Sequence, residues 1–291
     1  MPRLLARLDR LGVWPARLAW LGVPLAIGPA LTGAMSTTST PVRWVTAIVV
    51  WLVWAGVLVG LLVPTTLGLT AVRVAAPAAF AAALWAALVG SPDTGDGVAL
   101  AWAALACVTA FAAFTADAFV DGSSYGDETR FALRAPIGVV VVAVAAWVVV
   151  VSGVAIGPLL LAGRQWVAGG VAVAVGFPAA WFAVRRLHQL ARRWLVLVPA
   201  GIVVHDPLLL PDPVLFPGPT VRALAPATRG DAGMPGVVDL SATTPGLALA
   251  LRLRQPVKVG RGDVEADLVL FTPGRPGALL AEARRRRFPR Q

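Results

Sequence analysis

The chain has 291 residues, of which 58% are hydrophobic and 14% are charged, and its formal net charge at pH 7 is +10. Soluble domains carry about 25% charged residues, so this composition excludes an ordinary soluble protein and favours a membrane protein. The basic residues cluster at the ends of apolar stretches and at the C-terminus, which favours membrane topology over nucleic-acid binding.

Six apolar stretches are long enough to cross a bilayer, which takes about 20 residues. They cover residues 18–35, 44–63, 74–90, 98–116, 136–162 and 166–184. The fifth contains a valine-rich run, which we expect to be helical because an isolated strand in lipid would leave its backbone unpaired. No comparable stretch follows residue 184. The sequence therefore predicts an all-α transmembrane bundle of six helices followed by a small α+β domain.

The same pattern divides the chain into four parts. They are a basic cytoplasmic N-terminus (1–17), a six-span transmembrane domain (18–184), a basic helical neck (185–195) and a cytoplasmic α+β domain with a basic C-terminus (196–291). The first stretch is also typical of a cleaved signal peptide, with a basic start and small residues at Thr32 and Ala34. Its long basic preface and its prolines favour a retained span.

Arginine placement predicts the orientation, because basic residues are enriched in cytoplasmic loops. The segments before the first stretch and after the sixth hold several arginines each, the segment between the second and third holds Arg73, and that between the fourth and fifth holds Arg130 and Arg134. The segments 36–43, 91–97 and 163–165 hold at most one basic residue each. We therefore predict a plasma (inner) membrane protein with both termini in the cytoplasm.

Short β-like runs dominate the region after residue 193. Two of them flank Pro199-Ala200-Gly201, which predicts a hairpin. Others are VRALA, GVVDLSA, LALALRLR and EADLVLFT, and a closing helix is expected to begin at Pro276. Strands followed by one helix predict the α+β domain.

Two arginine clusters are predicted to bind anionic lipid headgroups. One lies on the neck, where helical spacing places its members on one face, and the other forms the basic run near the C-terminus. The predicted headgroup-binding residues are Arg185, Arg186, Arg192, Arg193, Arg284, Arg285, Arg286 and Arg287.

The stretch DAFVDGSSYGDETR at 117–130 is the most acidic part of the chain. Asp117 and Asp121 are four residues apart, so a helix would place both carboxylates on one face, as a divalent metal and a lipid pyrophosphate require. This spacing resembles the DxxxD elements of polyprenyl transferases and alcohol phosphatidyltransferases, which implies metal-dependent lipid chemistry. The resemblance is incomplete, since no second carboxylate pair follows.

A structural interpretation of the same loop needs fewer assumptions. Its Asp, Ser and Gly residues favour turns and helix caps, and Glu128 could pair with Arg130 or Arg134. Under this interpretation Asp121, Asp127 and Glu128 form a docking surface that receives the tail domain or a protein partner.

Small residues recur at close-packing spacing in two spans, as Gly56 with Gly60 and Gly153 with Gly157. They favour packing within the bundle and leave a homo-oligomer open. No metal or cofactor is predicted, because Cys107, His188 and His205 do not form a metal-ligand spacing. The predicted spans contain no charged residue, which disfavours ion-coupled transport and leaves an apolar solute open.

Two further resemblances bear on the fold, one over nearly the whole chain and one over its C-terminal part. YGDETRFALRAP together with RRWLVLVPAGIVVHDPLLLPDPVLF resembles an uncharacterised family of actinobacterial membrane proteins, which implies a topology and no activity. The order of strands and a last helix is similar to bacterial pleckstrin-homology-like domains. The sequence therefore favours a membrane-anchored interaction or regulatory component over an enzyme. The alternatives are a metal-dependent lipid-modifying enzyme and a transporter of an apolar solute.

Overall fold

The computed structural model describes residues 12–89, 93–228, 230–242, 244–260 and 264–289. Most of the predicted basic N-terminus lies outside these residues. The chain forms two compact units. The first contains residues 1–115 and 143–188, and the second contains residues 116–142 and 189–291. The segment between the fourth and fifth predicted spans therefore folds with the tail.

The described chain forms eight helices before residue 194. They are α1 (Trp14–Leu21), α2 (Val23–Ala34), α3 (Thr40–Leu62), α4 (Thr66–Val89), α5 (Thr94–Phe111), α6 (Ala113–Asp121), α7 (Ile137–Ala162) and α8 (Trp166–Ala191). Among the described residues, five helices are long and apolar enough to cross a membrane: α3, α4, α5, α7 and α8. The valine-rich run is helical as predicted, and these five helices indicate a membrane protein.

The first predicted span is divided at Gly22 into the short helices α1 and α2, so the described residues form five membrane-length helices and not the six that were predicted. Pro24 has no N–H to donate to the carbonyl of Trp20, four residues earlier. The indole of Trp54 donates to this carbonyl at 3.1 Å, and the indole of Trp20 donates to the carbonyl of Trp54 at 3.0 Å. A Cβ at Gly22 would lie only 2.3 Å from the ring of Trp102.

Three of the four predicted packing glycines lie at close helix–helix contacts. A Cβ at Gly60 would be 3.0 Å from the Cα of Gly68, and one at Gly153 would be 2.5 Å from the carbonyl oxygen of Gly176. A Cβ at Gly157 would also meet α8, at the side chain of a valine 2.6 Å away. Gly56 instead faces open space. The contacts of the other three join helices of the same chain.

The second unit contains two four-stranded sheets and a closing helix. The first sheet has the order β1 (Thr129–Ala132), β2 (Trp194–Val198), β3 (Gly201–His205) and β4 (Val214–Pro217), all antiparallel. The second has the order β5 (Val221–Pro226), β7 (Leu249–Val259), β8 (Val264–Phe271) and β6 (Val237–Asp239), with β6 parallel to β8. Helix α9 (Pro276–Arg285) follows β8.

One hydrophobic core joins both sheets and α9, and its members include Phe131, Ile202, Phe216, Phe271 and Leu279. Each of these five side chains is at most 5% exposed. This arrangement confirms the predicted mixture of sheet and closing helix after the membrane helices. It also includes Phe131, which comes from the segment between two of those helices.

The predicted hairpin is confirmed, and two strands were missed. Gly201 closes the β2–β3 turn with φ +154°, and a Cβ there would lie 2.1 Å from the carbonyl oxygen of Phe216. Strand β4 comes from the proline-rich DPLLLPDPVLFPGP segment, and β1 comes from a segment interpreted as a loop or hinge. The sequence of β1 carries no polar–apolar alternation, because its buried residues Phe131 and Ala132 are adjacent.

Candidate functional site: the junction of the acidic loop and the tail

Two carboxylates of α6 bind the edge of strand β1. Asp121 Oδ1 accepts the backbone N–H of Arg130 at 2.8 Å, and Asp117 Oδ1 accepts that of Ala132 at 2.8 Å. Residues four apart on a helix are about 6 Å apart along its axis, and residues two apart on a strand are about 6.8 Å apart. The spacing that resembles a metal-binding pair therefore also matches alternate amides of a strand, whose edge would otherwise be open.

Asp117 also connects this edge to the start of α9. Its side chain is buried, and Arg275 Nη1 lies 3.4 Å from Asp117 Oδ2. Next to it, the N–H of Gly274 donates to the carbonyl of Ala132 at 2.8 Å. The end of β1 is therefore held by β2, by α6 and by the residues before α9.

A surface contact, the Arg286 clasp, joins the acidic loop to the end of α9. Arg286 donates to the side chain and to the carbonyl of Asp127, both at 3.0 Å, and to Glu282 Oε1 at 2.7 Å. Burial acts to raise the pKa of Glu282, but hydrogen bonds from Arg285 and Arg286 bring this pKa below its ordinary value. Glu282 therefore stays ionised and orients Arg286 toward the loop.

The three predicted docking residues have different contacts. Asp121 binds β1, Asp127 binds Arg286, and Glu128 pairs with Arg130 at 2.7 Å. Of these three residues, Asp127 contacts Arg286 at the end of α9, and its side chain is still 80% exposed. Tyr125, between them in the loop, is 91% exposed.

An open cavity of about 430 Å³ adjoins the Arg286 clasp. The β2–β3 turn at Pro199 borders it on one side, and Asp127 and Arg287 border it on another. Its lining therefore includes both an acidic and a basic side chain.

Arg193 differs from the other arginines that were predicted to bind lipid headgroups. Its side chain is 1% exposed, and its Nε and Nη2 donate to Asp206 Oδ1 at 2.9 Å and Oδ2 at 2.6 Å. Its Nη1 donates to the carbonyl of Arg134 at 2.6 Å. The headgroup prediction is therefore wrong for Arg193, because an arginine at this register points into the folded unit and finds a carboxylate there. The exposed members of the set are Arg185, Arg186, Arg192, Arg284, Arg285 and Arg287.

An aromatic and cationic patch lies on the first sheet. The rings of Trp194 and His205 are 4.5 Å apart, and the guanidinium carbon of Arg130 lies 5.7 Å from the Trp194 ring. Burial, and then the positive charges of Arg192 and Arg130, hold the pKa of His205 below its ordinary value, although Asp206 acts in the opposite direction. His205 is therefore neutral at physiological pH and packs as an aromatic ring.

Neither a known relative nor a metal-binding cluster in the described residues indicates what this protein does. No family model, curated protein or solved structure matches the chain. In the part of the chain that the structure describes, no three His, Cys, Asp or Glu side chains are grouped as a metal site requires. Asp117 and Asp121 instead bind backbone amides, which favours the structural interpretation of the loop.

We expect Asp231 to make the tail unit less stable in acid. The backbone N–H of Thr228, 2.7 Å from Asp231 Oδ2, and the guanidinium of Arg252 hold the pKa of Asp231 below its ordinary value of 3.8. A carboxyl with a lowered folded-state pKa contributes stability above its unfolded pKa and loses this contribution as pH falls through the folded pKa.

The measurement is the melting temperature of the detergent-solubilised protein between about pH 6 and pH 3. Replacing Asp231 with Asn should lower the melting temperature at pH 6 and flatten its decline in acid. Asp212→Asn, at an exposed position, is the control and should keep the wild-type slope. Parallel curves for wild type and Asp231→Asn would contradict the expectation.

Proposed function

We propose that the chain is a six-span inner-membrane protein with both termini in the cytoplasm, acting as a membrane-anchored interaction or regulatory component. One observation carries this proposal: residues 116–142, between two membrane-length helices, fold into one unit with residues 189–291. A cytoplasmic domain built in this way is attached to the membrane helices at more than one point. Its structure is therefore linked to their positions.

Chain connectivity supports this topology. Helices α7 and α8 separate β1 from β2 in sequence, and two membrane crossings return a chain to the side from which it started. The pairing of β1 with β2 agrees with that even number. Helices α1 and α2 supply the proposed sixth crossing, since 21 helical residues span about 31 Å. The backbone at Gly22 stays helical (φ −80°, ψ −9°), and its N–H still bonds to Leu18.

Strand β1 is the proposed link between membrane helices and docking surface. It follows α6 and the acidic loop, and α7 begins five residues after its end. A displacement of α7 relative to α8 would act directly on the pairing of β1 with β2. By reciprocity, a partner that stabilises β1 favours the helix arrangement compatible with that pairing.

The proposed docking surface consists of the loop tip, residues 122–128, and the adjoining cavity. Tyr125 supplies an exposed aromatic ring, and aromatic side chains are enriched among the residues that dominate protein interfaces. Asp127 and Arg287 supply opposite charges at the cavity rim.

Single cysteines test both the topology and the docking surface. In a Cys107→Ser background, Cys replaces Tyr125, Asp212 or Thr37, which are exposed positions. An impermeant thiol reagent should label the first two only after the inner membrane is permeabilised and the third in intact cells. Labelling of position 125 or 212 in intact cells would overturn the proposal.

To report the partner, a photoreactive group is placed on a cysteine that replaces Ser123 in the same Cys107→Ser background. Ser123 is an exposed residue of the loop tip, and Tyr125 stays in place. We expect a discrete crosslinked protein that disappears with Asp127→Lys. Combining Asp127→Lys with Arg286→Glu restores an ion pair in the clasp and keeps the loop charge reversed, so the crosslink should stay absent. Its return in the double variant would show that the clasp, and not the surface, was responsible. Absence of any discrete crosslink would contradict the docking role.

A further inference from the structure

Arg73 lies inside a membrane-length helix. Helix α4 begins at Thr66, eight residues before the predicted start of this span, so Arg73 is about 10 Å along the helix. It adjoins the buried face of α4, which includes Val72 and Ala76. The structure thus adds a charged residue to a span that was predicted to contain none.

The contacts of Arg73 leave its charge uncompensated. Its guanidinium carbon lies 5.6 Å from the ring of Phe111, on α5. Its Nε is buried without an acceptor, and no carboxylate within the described residues forms an ion pair with it. Arg17 shows the contrast, since its guanidinium donates to the carbonyls of Leu61 and Leu62 at the end of α3.

Two further polar groups of α4, the Thr70 hydroxyl and the Val74 carbonyl, lie near Arg73 in the sequence. The hydroxyl of Thr70, three residues before Arg73, is 2.9 Å from His188 Nδ1 on α8. Pro77 has no N–H for the carbonyl of Arg73, and the indole of Trp147 donates to the next carbonyl, that of Val74. Arg73 is therefore flanked along α4 by the Thr70 hydroxyl, which also donates to the carbonyl of Thr66 at 3.0 Å, and by its own carbonyl, which has no helical N–H partner at position 77.

Within a membrane helix a guanidinium without an anion is costly, because removing an ion from water requires a compensating charge or hydrogen bonds. Ionisable residues within membrane helices accordingly mark binding sites or ion pathways. A helical arginine extends toward the N-terminus of its helix, so the guanidinium of Arg73 is directed toward the start of α4, and from the end of a membrane helix a long arginine side chain can extend to the headgroups. Arginine binds phosphate through two parallel N–H donors.

We propose that Arg73 binds a phosphate group at this end of the bundle, with the Thr70 hydroxyl beside it. The phosphate belongs either to a membrane lipid or to a soluble compound, and both sources offer the same oxygen acceptors. This site is independent of the docking surface, because its residues all lie in the first unit.

Lipid titrations of the purified full chain test this site. The protein in neutral detergent is titrated with phosphatidylglycerol, with diacylglycerol, which lacks phosphate, and with inorganic phosphate. Melting temperature and bound mass by native mass spectrometry are both recorded. We expect phosphatidylglycerol to bind and to raise the melting temperature, and diacylglycerol to do neither. A comparable effect of inorganic phosphate assigns the site to a soluble compound, and its absence assigns the site to a lipid.

Substitutions locate the binding. Arg73→Gln should weaken phosphate-dependent binding by about 10- to 100-fold, because a hydrogen-bonded charge is lost. Arg73→Lys keeps the charge without the two-donor geometry and should give an intermediate affinity, which also serves if the Gln variant does not fold. Arg43→Gln, an exposed arginine of α3, is the matched control and should bind as wild type. Unchanged binding in both Arg73 variants, or no response of wild type to either phosphate source, would overturn the proposal.

Discussion

Replacing Arg193 with Ala is expected to lower the free energy of unfolding by about 3–5 kcal/mol. The side chains of Arg193 and Asp206 are 1% and 0% exposed, and two hydrogen bonds join them. Removing the guanidinium leaves a buried carboxylate without its cation, and it also removes the bond to the carbonyl of Arg134. The penalty arises mainly from the stranded charge.

Denaturant unfolding of the tail unit, followed by Trp fluorescence in the detergent-solubilised protein, measures this loss. Arg285→Ala is the control, because Arg285 is 74% exposed in its pair with Glu282 and surface pairs contribute little. The double change Arg193→Met with Asp206→Leu removes both charges and should be milder than Arg193→Ala. A double variant that is less stable than the single variant would contradict this account.

Replacing Asp117 and Asp121 together with Ala is expected to release strand β1. Each substitution strands one backbone amide, at Ala132 or Arg130, with a cost of about 1–3 kcal/mol per buried unsatisfied group. Asn at the same positions keeps a carbonyl oxygen that can accept these bonds. The Asn pair should therefore retain the strand, although it lacks the negative charges that a divalent metal requires.

Hydrogen exchange of the peptide covering 129–132 reads out this difference. Protection should fall in the Ala pair and remain near the wild-type level in the Asn pair. The measurement also separates the two interpretations of the acidic loop. Equal loss of protection in both pairs, or a magnesium-dependent lipid activity abolished by the Asn pair, would favour the metal site over the strand-edge role.

Local composition was sufficient for much of the membrane part. A helix that crosses lipid needs about 20 apolar residues in succession, and this property can be counted directly, so α3, α4, α5, α7 and α8 were all anticipated. The β2–β3 hairpin was also predictable, since its turn lies between two adjacent β-like runs. The break at Gly22 was less accessible, because it depends on indoles from α3 and α5.

The sequence identified the acidic residues of the candidate site but not the groups that they contact. The spacing of Asp117 and Asp121 was recognised, and it fits either a metal or alternate strand amides. The strand itself pairs Phe131 with Leu195, across the whole of α7 and α8. A pairing over such a separation leaves no local mark in the sequence of β1, whose buried residues are adjacent instead of alternating.

The sequence by itself determined that this chain is membrane-bound and where most of its long helices lie. It also determined that strands and a closing helix follow them. Each of these features depends on the free energy of neighbouring residues in lipid or water. Only the tertiary structure decided which arginines are free. Arg192 is exposed, whereas Arg193 is buried against Asp206, 13 residues later. Adjacent residues on one short segment face opposite environments, so the partner that neutralises a charge is set by the packing of the whole unit.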